Sequence, residues 1–153
     1  MNGKWPRLLV VDDEPLVARW TMLTLGRYFL KEGLLGVDGE IVECRDGRTA
    51  LRLLSEEGPF DLVLTDLMMN RMSGEELVSR IRRGETESGT HATPRSVVVV
   101  AYSGGFAGVI NKPEPPFAEF DRGINKPLEP EQLIGALLDL LIPLDVDGVL
   151  TKM

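Results

Sequence analysis

Residues 8–17 read LLVVDDEPLV, and this stretch decides the predicted fold. Its first four residues are apolar, which is typical of a buried strand, and Pro15 suits the first turn of a following helix. Between them stand three acidic residues: Asp12, Asp13 and Glu14. In open α/β sheets, ligands bind outside the carboxyl ends of the strands. Helix capping explains a single carboxylate at this place, whereas two or three together indicate a bound cation.

The rest of the chain repeats this alternation of apolar runs and amphipathic segments. Strands are predicted at 7–12, 40–45, 60–66 and 96–103. Helices are predicted at 15–29, 47–58, 74–84 and 129–141, and the stretch 29–40 is placed as an extension of the first helix and a loop. Strands that alternate with helices form parallel βαβ units. The sequence therefore predicts an α/β fold, a doubly wound parallel sheet with helices on both faces.

Composition narrows the classes of function. The 153 residues suit one domain, predicted at 1–142, with a C-terminal tail at 143–153. The net charge of -7 and the absence of a basic run argue against direct binding of nucleic acid. Cys44 is the sole cysteine, which excludes an internal disulfide and fits a reducing compartment. No apolar run reaches the roughly 20 residues of a membrane span, and acidic residues come too early for a signal peptide, so a cytoplasmic protein without membrane partners is predicted.

A second acidic residue, Asp66, closes the third predicted strand as Asp12 closes the first. If both strands are parallel and central, these two carboxylates and Asp13 converge at one edge of the sheet. Coulomb repulsion then calls for a cation, and Mg²⁺ is favoured because it accepts few carboxylates and keeps its waters. A carboxylate held against Mg²⁺ can also attack phosphorus and form an aspartyl phosphate.

Two later residues complete this chemistry. Ser103 ends the fourth predicted strand with a hydroxyl able to hydrogen-bond a phosphoryl oxygen, and Gly104 leaves the approach open. Lys126, just before a proline, offers a point charge to another phosphoryl oxygen. Each residue alone is weak evidence, but the ordered set is specific.

The ordered set resembles the receiver domain of two-component response regulators, over about residues 7–142. The resemblance implies a flavodoxin-like sheet of five parallel strands in the order 2-1-3-4-5 and a phosphoryl group accepted on Asp66. It also implies Mg²⁺ bound by Asp13, by Asp66 and by the backbone carbonyl of Met68, with Asp12 acting through water.

The resemblance further implies a phosphorelay partner, either a histidine kinase or a histidine phosphotransfer protein, as the phosphoryl donor. The chain is then a switch with slow self-hydrolysis and not a metabolic enzyme. Its output protein and its oligomeric state stay open, a homodimer included. His91, the sole histidine, lies in a Ser/Thr/Gly-rich loop and is predicted to be a surface residue.

Three departures from the family pattern stand out. Asn70 replaces the usual proline four residues after the acceptor, a change expected to alter loop rigidity rather than chemistry. Gly123 replaces the aromatic residue that usually lies three residues before the lysine. The stretch 104–120 is rich in glycine and proline, which argues against a regular helix in the fourth-helix region. Its aromatic residues are expected to be exposed: Phe106, Phe117 and Phe120.

A second Asn-Lys-Pro triplet raises the question of which lysine serves the site. Lys112 lies nine residues after Ser103, too few for a crossover of about a dozen residues to another parallel strand. Lys126 allows that crossover and precedes the last helix. We therefore assign the role to Lys126 and place Lys112 in a loop.

Two other functions fit parts of the sequence. The segment LDVDGVLT at 144–151 resembles the first motif of haloacid-dehalogenase-type phosphatases, with Asp145 and Asp147 as its acidic pair. Such an enzyme needs a whole domain after this motif, so the segment is interpreted as an acidic tail unless the chain is a fragment of a longer protein. A receiver-like module that binds partners without phosphorylation is disfavoured, because the acidic, hydroxyl and lysine positions are all intact.

Overall fold

The computed structural model describes residues 6–31, 40–104, 117–126 and 128–141. Within them the five strands are β1 (Arg7–Val11), β2 (Glu40–Cys44), β3 (Leu62–Thr65), β4 (Val98–Ser103) and β5 (Arg122–Asn125). The same ranges contain four α-helices: α1 (Pro15–Lys31), α2 (Gly47–Glu56), α3 (Gly74–Arg82) and α4 (Pro130–Leu141). A 3₁₀ turn, Phe117–Glu119, precedes β5.

The strands form one parallel sheet in the order β2-β1-β3-β4-β5, which confirms the predicted topology. Val11 at the end of β1 lies opposite Thr65 at the end of β3. The next residue on each chain segment is an aspartate, Asp12 or Asp66. The parallel register therefore brings two acidic residues, 54 positions apart in sequence (66 − 12), to the same level of one sheet edge.

Both faces of the sheet are buried, which explains the continuous apolar run in β1. Leu8 and Val10 belong to the core under α1 and α4. Leu9 and Val11 belong to the core under α2 and α3. Because successive side chains of a strand point to opposite faces, a strand covered on both sides needs apolar residues at every position. Burying each such side chain contributes about 1.5–3 kcal/mol.

Helix α1 buries a different face from the one that its large apolar residues suggest. The helix is confirmed and continues to Lys31. Leu16, Trp20 and Leu23, whose spacing predicts the helix, are 84%, 49% and 52% exposed. The side facing the sheet carries instead Ala18, Thr21, Leu25 and Phe29. Helix α1 therefore presents a row of large apolar side chains to solvent.

The end of the segment between β4 and β5 is fastened to α3 by Arg82. Its guanidinium donates hydrogen bonds to the carbonyls of Glu119 and Val97 at 3.0 and 2.6 Å, and pairs with Asp121 at 2.9 Å. These bonds hold the turn against the core, where Phe120 is only 8% exposed. The expectation that Phe120 is exposed is therefore wrong. Residues 105–116 and the side chain of Phe117 lie outside the described residues, so the irregular fourth-helix region stays a prediction.

Two glycines in helices offer a matched test of the packing. An added Cβ at Gly74 would meet the carbonyl oxygen of Asp66 at 2.3 Å, and this backbone cannot yield without moving Asp66 itself. At exposed Gly135 in α4, an added Cβ would meet nothing within 4 Å. We expect Gly135→Ala to stabilise the protein by about 0.5–1 kcal/mol and Gly74→Ala to destabilise it by about 1–3 kcal/mol. Denaturant unfolding measures both, and similar changes in the two variants would contradict the packing around Asp66.

Candidate functional site

Three carboxylates meet at the carboxyl edge of the sheet. Asp12 and Asp13 follow β1, Asp66 follows β3, and one oxygen from each lies within 4.8 Å of the others. Asp12 is buried, with 4% of its surface exposed, whereas the other two are half-buried. The structure thus brings together the three predicted acidic residues. An all-oxygen donor set of this size fits a hard divalent cation such as Mg²⁺.

The chain also supplies a cation of its own, from the residue that follows β5. The Lys126 Nζ lies 2.5 Å from Asp12 Oδ2 and 3.5 Å from Asp66 Oδ2. Its backbone N–H donates to the Ser103 carbonyl at 3.1 Å, which fixes where the side chain starts. The ammonium also lies 5.3 Å from the centre of the Tyr102 ring. The like-charge repulsion expected from the three aspartates is therefore offset in part by Lys126.

Asp66 is held by its own main chain. Its backbone N–H donates to the Val11 carbonyl at 2.9 Å, which continues the β1–β3 pairing. Its Oδ1 accepts hydrogen bonds from the N–H groups of Leu67 and Met68 at 2.7 and 3.3 Å, while Oδ2 faces Lys126. The carboxylate is thus fixed in orientation and still 14% exposed. The proposed use of the Met68 carbonyl stays a prediction.

Asp13 makes a contact that residue types alone did not suggest. The backbone N–H of Asn70 donates to Asp13 Oδ2 at 3.0 Å. The expectation that Asn70 alters loop rigidity rather than chemistry stays a prediction, and the structure adds that the backbone N–H of Asn70 contacts a candidate metal ligand. A hydrogen bond from a backbone N–H cannot be predicted from the pattern of residue types. The sequence indicates only that position 70, unlike the proline usual there, carries an N–H.

The remaining predicted residues take up the following places. Ser103 ends β4 and is buried, and Gly104 after it is exposed with open space around it. Their contacts with a phosphoryl group stay predictions. His91 is exposed, as predicted. Lys112 and the acidic tail motif at 144–151 lie outside the described residues.

A fourth aspartate near this edge has a purely local role. Asp46 caps α2, accepting hydrogen bonds from the backbone N–H and the hydroxyl of Thr49, both at 2.8 Å. The hydrogen bond from the Thr49 N–H, more than any other effect, lowers the pKa of Asp46, and burial partly opposes it. Helix capping thus explains this carboxylate, whereas Asp12, Asp13 and Asp66 converge on one another.

An apolar groove adjoins the acidic cluster. Its volume is about 430 Å³, and it is lined by Leu16, Val17, Trp20, Thr21, Tyr102 and Lys126. The exposed side chains of α1 therefore border the groove that the Lys126 side chain also lines. None of the helices in the described ranges is both long and apolar enough for a membrane span.

The sequence matches the response regulator receiver domain over residues 8–138. A chemotaxis protein CheY homolog from Campylobacter jejuni is 33% identical over 135 residues, covering 88% of this chain and 92% of that protein. An uncharacterized transcriptional regulatory protein from Bacillus subtilis is 30% identical over 113 residues, covering 74% of this chain and 44% of that protein. A sensor histidine kinase from Ectopseudomonas mendocina is 38% identical over 77 residues, covering 50% of this chain and 7% of the kinase. The chain thus spans less than half the length of the latter two relatives.

Solved structures share the fold. A sensor protein from Polaromonas sp. JS666 has a TM-score of 0.68 at 22% identity, covering 89% of this chain and 95% of that one. A chemotaxis response regulator from Vibrio cholerae has a TM-score of 0.67 at 22% identity, covering 90% of this chain and all of that one.

Proposed function

Because the chain belongs to the response regulator receiver family, we propose that it accepts a phosphoryl group on Asp66 in a Mg²⁺-dependent reaction. The observation that carries this proposal is the cluster of Asp12, Asp13 and Asp66 with Lys126 Nζ at 2.5 and 3.5 Å from two of them. The cluster combines oxygen ligands for a hard cation, a carboxylate nucleophile and the ammonium group of Lys126 at one sheet edge.

The proposed metal ligands are Asp13, Asp66 and the Met68 carbonyl, with Asp12 acting through water. When bound, Mg²⁺ supplies positive charge that offsets the negative charge of the carboxylates and of the phosphoryl oxygens. The donor set fits this ion because all of its ligand atoms are oxygens and only two carboxylates bind the ion directly.

In the proposed transfer, a carboxylate oxygen of Asp66 attacks phosphorus. The new O–P bond forms as the P–N bond to the donor imidazole breaks, and the imidazole keeps the electron pair and takes a proton from solvent. The N–H groups of Leu67 and Met68 hold Asp66 Oδ1, so the carboxylate is aimed before the donor arrives. Water later attacks phosphorus and releases Asp66, which gives slow self-hydrolysis.

Lys126 and Ser103 serve the phosphoryl oxygens in this proposal. The ammonium already lies 3.5 Å from Asp66 Oδ2, so it needs only a small movement away from Asp12 to meet a phosphoryl oxygen. Ser103 donates its hydroxyl to another oxygen. This exchange of partners by Lys126 is the proposed start of the conformational signal.

The proposed donor is a histidine kinase or a histidine phosphotransfer protein, and it reaches the site along α1. Leu16, Trp20 and Leu23 offer an exposed apolar row, and Leu16 and Trp20 also line the groove beside Lys126. Apolar side chains exposed together mark protein interaction sites. The same row is therefore suited to hold the donor while its phosphoryl group faces Asp66. The output partner is a protein or domain that distinguishes the two phosphorylation states.

The proposal is tested by incubating the chain with a small phosphodonor such as acetyl phosphate, followed by intact-mass measurement. We expect a gain of one phosphoryl group with Mg²⁺ present and none when the ion is chelated. The mass gain should decay after the donor is removed. A chain that gains no phosphoryl group at saturating donor and Mg²⁺ would favour the reading as an interaction module without phosphorylation.

A further inference from the structure

The hydrogen bond from Asn70 to Asp13 joins two loops at the acidic edge. Asn70 lies in the loop between β3 and α3, and Asp13 lies 57 positions away, after β1. The N–H donates to Asp13 Oδ2 at 3.0 Å. Hydrogen bonds between a donor and an ionised acceptor are roughly twice as strong as neutral ones. The bond therefore restricts a carboxylate that is otherwise partly exposed to solvent.

The turn that carries this N–H has an unusual backbone. Met72 N–H donates to the Asn70 carbonyl at 2.9 Å, and Arg71 between them has a φ of 71°. A three-residue turn with positive φ at a central residue other than glycine is rare and strained. Such a conformation persists only where its surroundings fix it. Here buried Met72 anchors one side of the turn, and the bond from Asn70 to Asp13 anchors the other.

We propose that the main-chain amide of Asn70 is a positioning group for Asp13 as a metal ligand. This inference rests on the proposed function, because it concerns the Mg²⁺ ligands named there. A carboxylate has about four lone-pair sites, so a hydrogen bond to Oδ2 leaves Oδ1 able to bind a cation. The bond fixes the side chain in advance and reduces the conformational entropy lost on metal binding. Outer-shell donors of this kind are worth roughly tenfold to a hundredfold in metal affinity.

A pair of substitutions at one position isolates the N–H. Asn70→Pro removes the amide hydrogen, and Asn70→Ala keeps it while removing the side chain. Calorimetric titration of the full chain with Mg²⁺ should show affinity weakened about tenfold in Asn70→Pro and within about twofold of wild type in Asn70→Ala. Unchanged or tighter Mg²⁺ binding by Asn70→Pro would overturn the inference. The N–H would then contribute nothing to Mg²⁺ affinity, or it would compete with the ion for Asp13. Absence of Mg²⁺ binding by wild type would instead defeat the proposed function.

Proline can also disturb the turn, so a second measurement observes the N–H directly in the wild-type backbone. In proton–nitrogen correlation spectra, the backbone amide resonance of Asn70 should shift during Mg²⁺ titration, and the midpoint of that shift should equal the midpoint of the calorimetric titration. Without the ion, Asp13→Ala should shift the same resonance toward the position of a solvent-bonded amide. If the backbone amide resonance of Asn70 shifts neither with Mg²⁺ nor in Asp13→Ala, this N–H does not position Asp13.

Discussion

Replacing Asp66 with asparagine is expected to abolish phosphoryl transfer to the chain. Asparagine matches the shape of aspartate, and its amide oxygen can still accept the hydrogen bonds from the N–H groups of Leu67 and Met68. The amide is uncharged and far less nucleophilic than a carboxylate, so the attack on phosphorus should stop while the fold persists. Intact mass after incubation with acetyl phosphate and Mg²⁺ should show no gain, against one phosphoryl group in wild type.

Asp46→Asn is the matched control for this experiment. Asp46 is another aspartate that follows a strand, but its oxygens cap α2 through Thr49. Asparagine caps helices as well as aspartate does, so this variant should fold and accept the phosphoryl group like wild type. If Asp66→Asn is still phosphorylated, the acceptor is Asp12 or Asp13 and not Asp66. Equal loss in both variants would point to a general effect of removing acidic charge.

The acidic edge could be predicted from sequence because Asp12 and Asp13 follow one buried strand and Asp66 follows another. The runs LLVVDD and LVLTD combine continuous apolar residues with a terminal aspartate. Strands covered on both faces are parallel and central in such folds, and parallel strands place their carboxyl ends together. The observed pairing of Val11 with Thr65 follows from these two facts.

The buried face of α1 could not be predicted in the same way. Leu16, Trp20 and Leu23 follow helical spacing, and so does the set that the structure buries, which includes Leu25 and Phe29. Periodicity identifies a helix but does not choose between two apolar stripes. The choice depends on which side chains fit against β1 and β2, and that is a property of the packed structure.

Contacts made by main-chain groups could not be predicted from the sequence either. The backbone N–H of Asn70 reaches Asp13 because the turn around Arg71 orients it toward that carboxylate, and no pattern of side chains predicts this orientation. The burial of Phe120 was not predictable from composition either. Its segment is rich in glycine and proline, but Arg82 donates a hydrogen bond to the Glu119 carbonyl beside Phe120, and the ring packs in the core.

Lys126→Ala is expected to destabilise the protein in the absence of Mg²⁺ by about 2–3 kcal/mol. Removing one partner of a buried ion pair costs about 3–5 kcal/mol, because the other charge stays buried without compensation. The Asp12 side chain is 6% exposed and would lose its ammonium partner at 2.5 Å. The Lys126 side chain is itself 21% exposed, so solvent screening reduces the full value. Denaturant unfolding of wild type and variant measures the difference.

Mg²⁺ should restore much of the stability that Lys126→Ala loses, because in the proposed site the ion neutralises the same carboxylates, which the fold brings together. The stabilisation by Mg²⁺ should therefore be larger in the variant than in wild type. Adding Asp12→Asn should shrink the effect of Lys126→Ala, since coupled partners are not additive. Lys112→Ala changes the same Asn-Lys-Pro triplet at its other occurrence and should stay within about 0.5 kcal/mol of wild type. If both lysine variants lose equal stability, or if Mg²⁺ stabilises Lys126→Ala no more than wild type, Lys126 is not the cation that balances this site.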